Sequence, residues 1–329
     1  MTVHSIVEGL RLFAISDAWI AKRNLFAVSV TIGGLAGTAL GFVFSRLHRR
    51  RKGMVQQLRR AIRKDKLRLV YQPIVELASG RIVGAEALVR WTNESGVEVG
   101  PDVFVKLAEE RGFVGSITKF VVRRALSDFY ETLRSHPVFR LSINVAAADL
   151  ADRTFMPALD RVIELTSVPA DRLVIEITES SMVRSRIAIE TIHRLRQKGH
   201  AIHIDDFGTG YSNLAYLHDL AVDAIKVDKT FVQAIGTDSV ISAILPQILS
   251  IAEALKLEVI VEGVETFLQA RYFLDLGAPV LAQGWLFGRP VSAEALHLLL
   301  AEDAQRIADL PKKKGTVLHM LPAVNDGSS

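Results

Sequence analysis

From Leu67 onward, short β-branched runs alternate with longer amphipathic ones, and this alternation constrains the fold more than any other feature. Eight strands are expected: Leu69–Val75, Ile82–Val89, Arg140–Val145, Leu173–Thr178, Ala201–Asp205, Ala224–Val227, Val259–Glu262 and Val280–Gln283. Between most of them lie helical patterns, among them Ser116–Leu133, Met156–Leu165, Arg186–Lys198, Val240–Leu255 and Thr266–Leu276. Strands separated by helices build βαβ units around a parallel sheet. Eight of them in this length fit an α/β fold, a (β/α)8 TIM-like barrel. The first two strands are the exception. Only Ala78–Arg81 separates them, too little for a crossover helix, so that pair is expected to be antiparallel.

A second constraint lies upstream. Leu25–Phe44 is 20 residues without a charge. At ~1.5 Å per residue it spans the hydrocarbon core of a bilayer. Arg11, Lys22 and Arg23 precede it, whereas Arg46, Arg49, Arg50, Arg51 and Lys52 follow it, so the positive-inside rule puts the C-terminal side in the cytoplasm. Residues 1–66 hold 13 Lys/Arg against 3 Asp/Glu, and the remainder 27 against 33. The basic character is therefore local and suits anionic lipid, not a nucleic acid polymer. Gly33, Gly37 and Gly41 share one helix face, a weak helix–helix contact motif. The chain has no cysteine, which excludes disulfides, thiolate zinc sites and a cysteine nucleophile.

The expected organisation is a short extracytoplasmic segment (1–24), a transmembrane helix (25–45), a basic juxtamembrane linker (46–66), the barrel (67–304) and a flexible tail (305–329). The expected location is the inner membrane, crossed once.

Apolar strands should not carry charges without cause. Here nearly every strand has a polar residue at or near its C-terminal end: Glu86, Asn144, Glu176 with Glu179, Asp205 with Asp206, Lys226, Glu262 and Gln283. In a barrel these ends converge on one face, where such folds build active sites. Carboxylates and an amide oxygen form a hard-oxygen set suited to Mg2+ or Mn2+. Two such ions are a recurrent device for phosphodiester hydrolysis. Lys226 either orients a water or phosphate, or compensates the charge of the acids around it. His203, two residues before Asp205, is expected to face the interior, where a buried, hydrogen-bonded histidine is favoured over one that tunes the metal site.

These residues sit in the strings YQPIV (Tyr71–Val75), EALVRW (Glu86–Trp91), SINV (Ser142–Val145), EITES (Glu176–Ser180), DDFGTGYSNL (Asp205–Leu214), IKVD (Ile225–Asp228), EGVE (Glu262–Glu265) and QGW (Gln283–Trp285). Together they resemble the EAL-domain family of cyclic di-GMP phosphodiesterases. The resemblance implies a homodimeric enzyme that linearises cyclic di-GMP to 5′-pGpG with two Mg2+ or Mn2+ ions. It implies Glu86, Asn144, Glu176 and Asp205 as ligands of one ion, and Asp205 with Asp206 at the second. Lys226 would orient the water and Glu262 act as general base. Gln72, Arg90 and Gln283 would contact substrate, and Glu179 would anchor the loop after Asp206. The competing reading is a silent receptor that binds the dinucleotide without cutting it. That class typically lacks metal ligands, the general-base glutamate or the loop motif, all of which are retained here.

Overall fold

The computed structural model describes residues 53–178, 186–208, 220, 222–237, 239–277 and 279–309. The chain divides into two units, Met1–Arg59 and Arg60–Ser329. The second unit contains the barrel. Leu25–Phe44 and most of the tail lie outside the described residues. Among the described residues, no helix is long and apolar enough to cross a membrane.

Nine strands form one sheet: β1 (Arg68–Glu76), β2 (Arg81–Thr92), β3 (Glu98–Val99), β4 (Arg140–Asn144), β5 (Leu173–Thr178), β6 (Ile202–Phe207), β7 (Ala224–Val227), β8 (Glu258–Val261) and β9 (Val280–Ala282). Their order is β1-β9-β8-β7-β6-β5-β4-β2-β3, and an additional β1–β2 pairing closes eight of them into a barrel. β1 is antiparallel to both neighbours; the short connection to β2, residues 77–80, requires the first of these pairings. β3 is an addition that the sequence pattern did not reveal. It is two residues long and pairs only with the end of β2, at Trp91↔Val99 and Thr92↔Glu98.

The parallel strands are buried on both faces, so they read as continuous apolar runs instead of alternating ones; Leu173–Ile177 is buried throughout. Inside the barrel Ile74, Ala224 and Ile260 form an apolar cluster against which Val83 and Leu281 pack. Outside, the helix Val114–Ser135 buries Ile117, Phe120, Val121, Ala125, Leu126 and Phe129, positions spaced three and four apart that make one face. The last helix, Ala293–Asp309, runs five residues past the expected barrel end at 304. Two tertiary contacts hold it there. Asp303 Oδ2 accepts from the Ile82 backbone N–H at 3.1 Å, and Arg306 Nη2 donates to the Gly80 carbonyl at 2.8 Å.

Candidate active site

Lys226 is the third residue of β7, and its side chain is only 1% exposed. Four carboxylates surround its ammonium. Nζ lies 3.1 Å from Glu86 Oε2, 3.0 Å from Glu176 Oε2, 3.1 Å from Asp205 Oδ1 and 2.7 Å from Glu262 Oε1. An unpaired buried ammonium would cost several kcal/mol of desolvation, roughly what breaking a buried ion pair costs. Here one lysine faces four acids, so the cluster keeps a strong negative excess.

That excess is unevenly shared. Burial pushes Glu176 well above the ordinary carboxylate range, and its contact with Lys226 offsets this only in part. Burial acts on Glu86 too, but Lys226, then Gln283 and Asn144, bring it below its usual value. The hydrogen bonds explain the contrast. Asn144 Nδ2 donates to Glu86 Oε1 at 2.6 Å and Gln283 Nε2 donates to Oε2 at 3.0 Å, whereas Glu176 Oε1 is buried with no hydrogen-bond partner. Burial raises Glu262 to about 7 despite Lys226. Burial alone would lower Lys226, but Glu176, Glu262, Glu86 and Asp205 hold it well above its ordinary value.

The acids form two overlapping groups. Glu86, Glu176 and Asp205 present oxygens within 4.8 Å of one another, and so do Asp205, Asp206 and Glu262. An all-oxygen donor set with one orphaned buried oxygen fits hard divalent cations and lacks the nitrogen or sulfur that favours zinc. Asn144, whose amide nitrogen faces Glu86, has its carbonyl oxygen to add.

Adjacent residues of a regular strand point to opposite faces, yet Asp205 and Asp206 serve the same group. The backbone supplies the reason. Asp206 has φ +56, and the β6–β7 register slips between Ile204 and Phe207. The irregularity cancels the alternation for one residue. Two glycines serve the same mouth. Gly263, directly after Glu262, has φ +68. A Cβ on Gly284, directly after Gln283, would run into the Val264 backbone.

Two clefts meet at Asp205. One, of about 400 Å³, is lined by Arg90, Asn144, Asp205 and Asp206. The other, of about 510 Å³, is lined by Gln72, Glu86, Glu262 and Gln283. Gln72 Oε1 accepts from Gln283 Nε2 at 3.1 Å, which links it to the carboxylates. Every expected site residue except Glu179 is therefore at this mouth; Glu179 lies outside the described residues. Sequence reasoning gave no role to Lys229, Gln233 or Trp285, which also line the second cleft. Their one signal was position just beyond the ends of β7 and β9. Trp285 is 52% exposed, with the Arg289 guanidinium 4.4 Å from its ring centre.

His203 departs from expectation. It is buried, but neither ring nitrogen has a hydrogen-bond partner. Ile74, Val174 and Ile260 lie around it, and the nearby buried Ser142 makes no hydrogen bond with the ring.

Fold and site together define an α/β barrel whose strand ends gather an acidic centre of the divalent-cation type. The chain belongs to the EAL domain family, whose sequence profile matches residues 55–290. The probable cyclic di-GMP phosphodiesterase PdeB of Escherichia coli K12 is 36% identical over 290 residues, 88% of this chain and 55% of that protein. The cyclic di-GMP phosphodiesterase NbdA of Pseudomonas aeruginosa PAO1 is 39% identical over 249 residues, 75% of this chain and 32% of NbdA. This chain thus spans about half or less of the length of these relatives. Among solved structures, the PaMucR phosphodiesterase in complex with c-di-GMP superposes with a TM-score of 0.70 at 32% identity, covering 74% of this chain and 99% of that one.

Proposed function

We propose that this protein is a membrane-anchored cyclic di-GMP phosphodiesterase that hydrolyses its substrate to 5′-pGpG. The observation that carries the reading is the pair of carboxylate groups sharing Asp205 around a single buried lysine. Glu86, Asn144, Glu176 and Asp205 would hold one Mg2+ or Mn2+, and Asp205 with Asp206 a second, with Glu262 beside it. Bound there, such ions would acidify an attacking water and offset charge on the phosphate.

The chain's own residues do the rest. A proton acceptor must lie within reach of the water that it serves, and Glu262, beside Asp205 and Asp206 at the mouth, is placed for that role. It accepts the water's proton as the water oxygen attacks phosphorus and the P–O bond to the ribose 3′ oxygen breaks, the 3′ oxygen taking a proton from solvent to leave as the hydroxyl. Lys226, 2.7 Å away, holds the Glu262 carboxylate in place and steadies the water. Gln72, Gln283 and Arg90 grip the dinucleotide from the two clefts, and Glu179 anchors the loop beyond Asp206.

Leu25–Phe44 with its basic C-terminal flank supports a single-pass anchor that leaves the barrel in the cytoplasm beside anionic lipid. Similarity to the EAL family supports a homodimer. Incubation of the full chain with cyclic di-GMP and Mg2+ or Mn2+ tests the catalytic reading. Appearance of pGpG supports it; bound but uncut nucleotide would replace it with the receptor reading. A C-terminal alkaline phosphatase fusion tests topology and should be inactive.

A further inference from the structure

A second cavity, of about 240 Å³, opens at the opposite end of the barrel, among the N-terminal ends of the parallel strands. Its wall is apolar: Ile74, Val83, Val174, Ile260 and Leu281. Two polar groups interrupt that wall, Ser142 at 2% exposure and His203 at 4%. Neither imidazole nitrogen has a partner. A buried polar group without a hydrogen bond costs about as much as a lost hydrogen bond or more, so a ring held this way stands ready for a ligand that supplies one. The rim is charged. Arg140 pairs with Glu258 at 3.5 Å and Arg172 with Asp171 at 3.6 Å, Arg172 also donates to the Pro137 carbonyl, and Glu76 lines the same rim. A guanidinium carries five donors, so these contacts leave both arginines capacity for a carboxylate at the mouth.

We propose that this cavity is a binding site for a small hydroxy- or oxo-carboxylate, with its carboxylate on Arg140 and Arg172, its hydrocarbon body against the apolar wall and its hydroxyl or carbonyl on His203. A neutral hydrocarbon would leave the imidazole unsatisfied. An acid with a second polar group answers both the spare guanidinium donors of Arg140 and Arg172 and the unpaired ring of His203. The site shares no residue with the carboxylate mouth, although His203 and Asp205 are two residues apart on β6.

The test uses the full chain in lipid nanodiscs, labelled with 15N-histidine. It is titrated with 3-hydroxybutyrate, 4-hydroxybutyrate and 5-hydroxypentanoate, with butyrate, pentanoate and 1,3-butanediol as comparisons. His203→Phe assigns the ring signals by their loss; it exchanges a buried unpaired polar ring for an apolar one and should fold. At least one hydroxy acid should shift the His203 signals saturably, with a Kd of about 0.1–1 mM, within the efficiency small ligands reach. The matching simple acid and the diol should bind at least about tenfold more weakly, since each leaves one end of the site unpaired. Arg172→Gln, at a surface-reaching position, should weaken the hydroxy acid about tenfold and leave the diol unchanged. No saturable shift with any hydroxy acid at 20 mM would overturn the proposal, as would equal binding of the diol or an unaltered Kd in Arg172→Gln. Hydrolysis of cyclic di-GMP enters none of these readouts.

Discussion

Lys226 Nζ lies 2.7 Å from Glu262 Oε1, the shortest of the four ion pairs that the lysine makes. Glu262 is also the acid held to about 7 by burial. The two facts belong together. The carboxylate is buried enough to favour its proton, yet the ammonium fixes which oxygen can receive it.

Glu262→Gln keeps volume and hydrogen-bonding shape but removes the proton acceptor. Loss of a general base costs ~10²–10⁴-fold. We expect kcat to fall by at least ~10²-fold while cyclic di-GMP affinity, resting on Gln72, Arg90 and Gln283, changes little. Stopped-time product analysis with a parallel binding isotherm checks this; a wild-type rate would remove Glu262 from the mechanism.

Lys226→Met leaves four acids facing one another with no internal counterion. Breaking a buried pair this way costs ~3–5 kcal/mol, which in a domain of this size is a Tm drop on the order of 10 °C. Added Mn2+ should recover more Tm in the variant than in the wild type, because the ion then replaces the missing charge. Equal recovery in both proteins would argue against Lys226 as the counterion. Differential scanning calorimetry with and without metal gives the comparison.

Burial, with the charges of Lys226 and Arg140, holds His203 down to about 3, and burial holds His200 below its usual value. For a group whose folded pKa is depressed, stability is present above the unfolded value of ~6.5 and is lost as pH falls toward the folded one. The two imidazoles therefore lower stability as pH falls from 7 to 4, against the opposite contribution of the raised carboxyls of Glu262 and Glu176. The test is the difference between proteins in urea unfolding: in His203→Phe the change of stability with pH should be less positive than in the wild type by up to one proton, ~1.4 kcal/mol per pH unit. An unchanged slope would mean that His203 is not neutral in the fold.

Asp206 occupies a left-handed backbone position that glycine adopts without penalty. Asp206→Gly should change stability little, because relief of the left-handed backbone is offset by the extra freedom that glycine gives the unfolded chain, and should abolish hydrolysis, because it removes one acid of the second group. Thermal melting and a rate assay on the same sample test both. A variant that melts lower would mean the Asp206 side chain contributes more to the fold than its backbone costs.

Much of this was legible in the sequence because parallel strands advertise themselves. Leu173–Thr178 and Ala224–Val227 have the bounds their β-branched runs give, and a polar residue at the end of such a run stands out from an apolar background. The pairing of β1 with β2 followed from the shortness of Ala78–Arg81. What stayed hidden depends on packing, not pattern. β3 exists because Trp91 and Thr92 have partners in space. Pro101–Glu110 and the last turns of Ala293–Asp309 carry mixed faces whose meaning appears only against β2 and the Gly80 turn. Lys226 was read as either a water-orienting group or a counterion. Its contact with four acids at once is the arrangement of a counterion, and no spacing rule reveals a convergence of five strands.

The slip between Ile204 and Phe207 has a consequence for how such a centre can arise or be lost. Two neighbouring acids reach one group only because β6 carries a residue more than its partner strand needs. Deleting one residue from Ile204–Phe207 would return the strand to even pairing and turn a carboxylate outward, with every other acid of the mouth still in place. The centre is therefore written in a count as well as in an alphabet. A chain that kept all the named acids but lost this register slip would still look complete in an alignment of residue types, and would be one oxygen donor short.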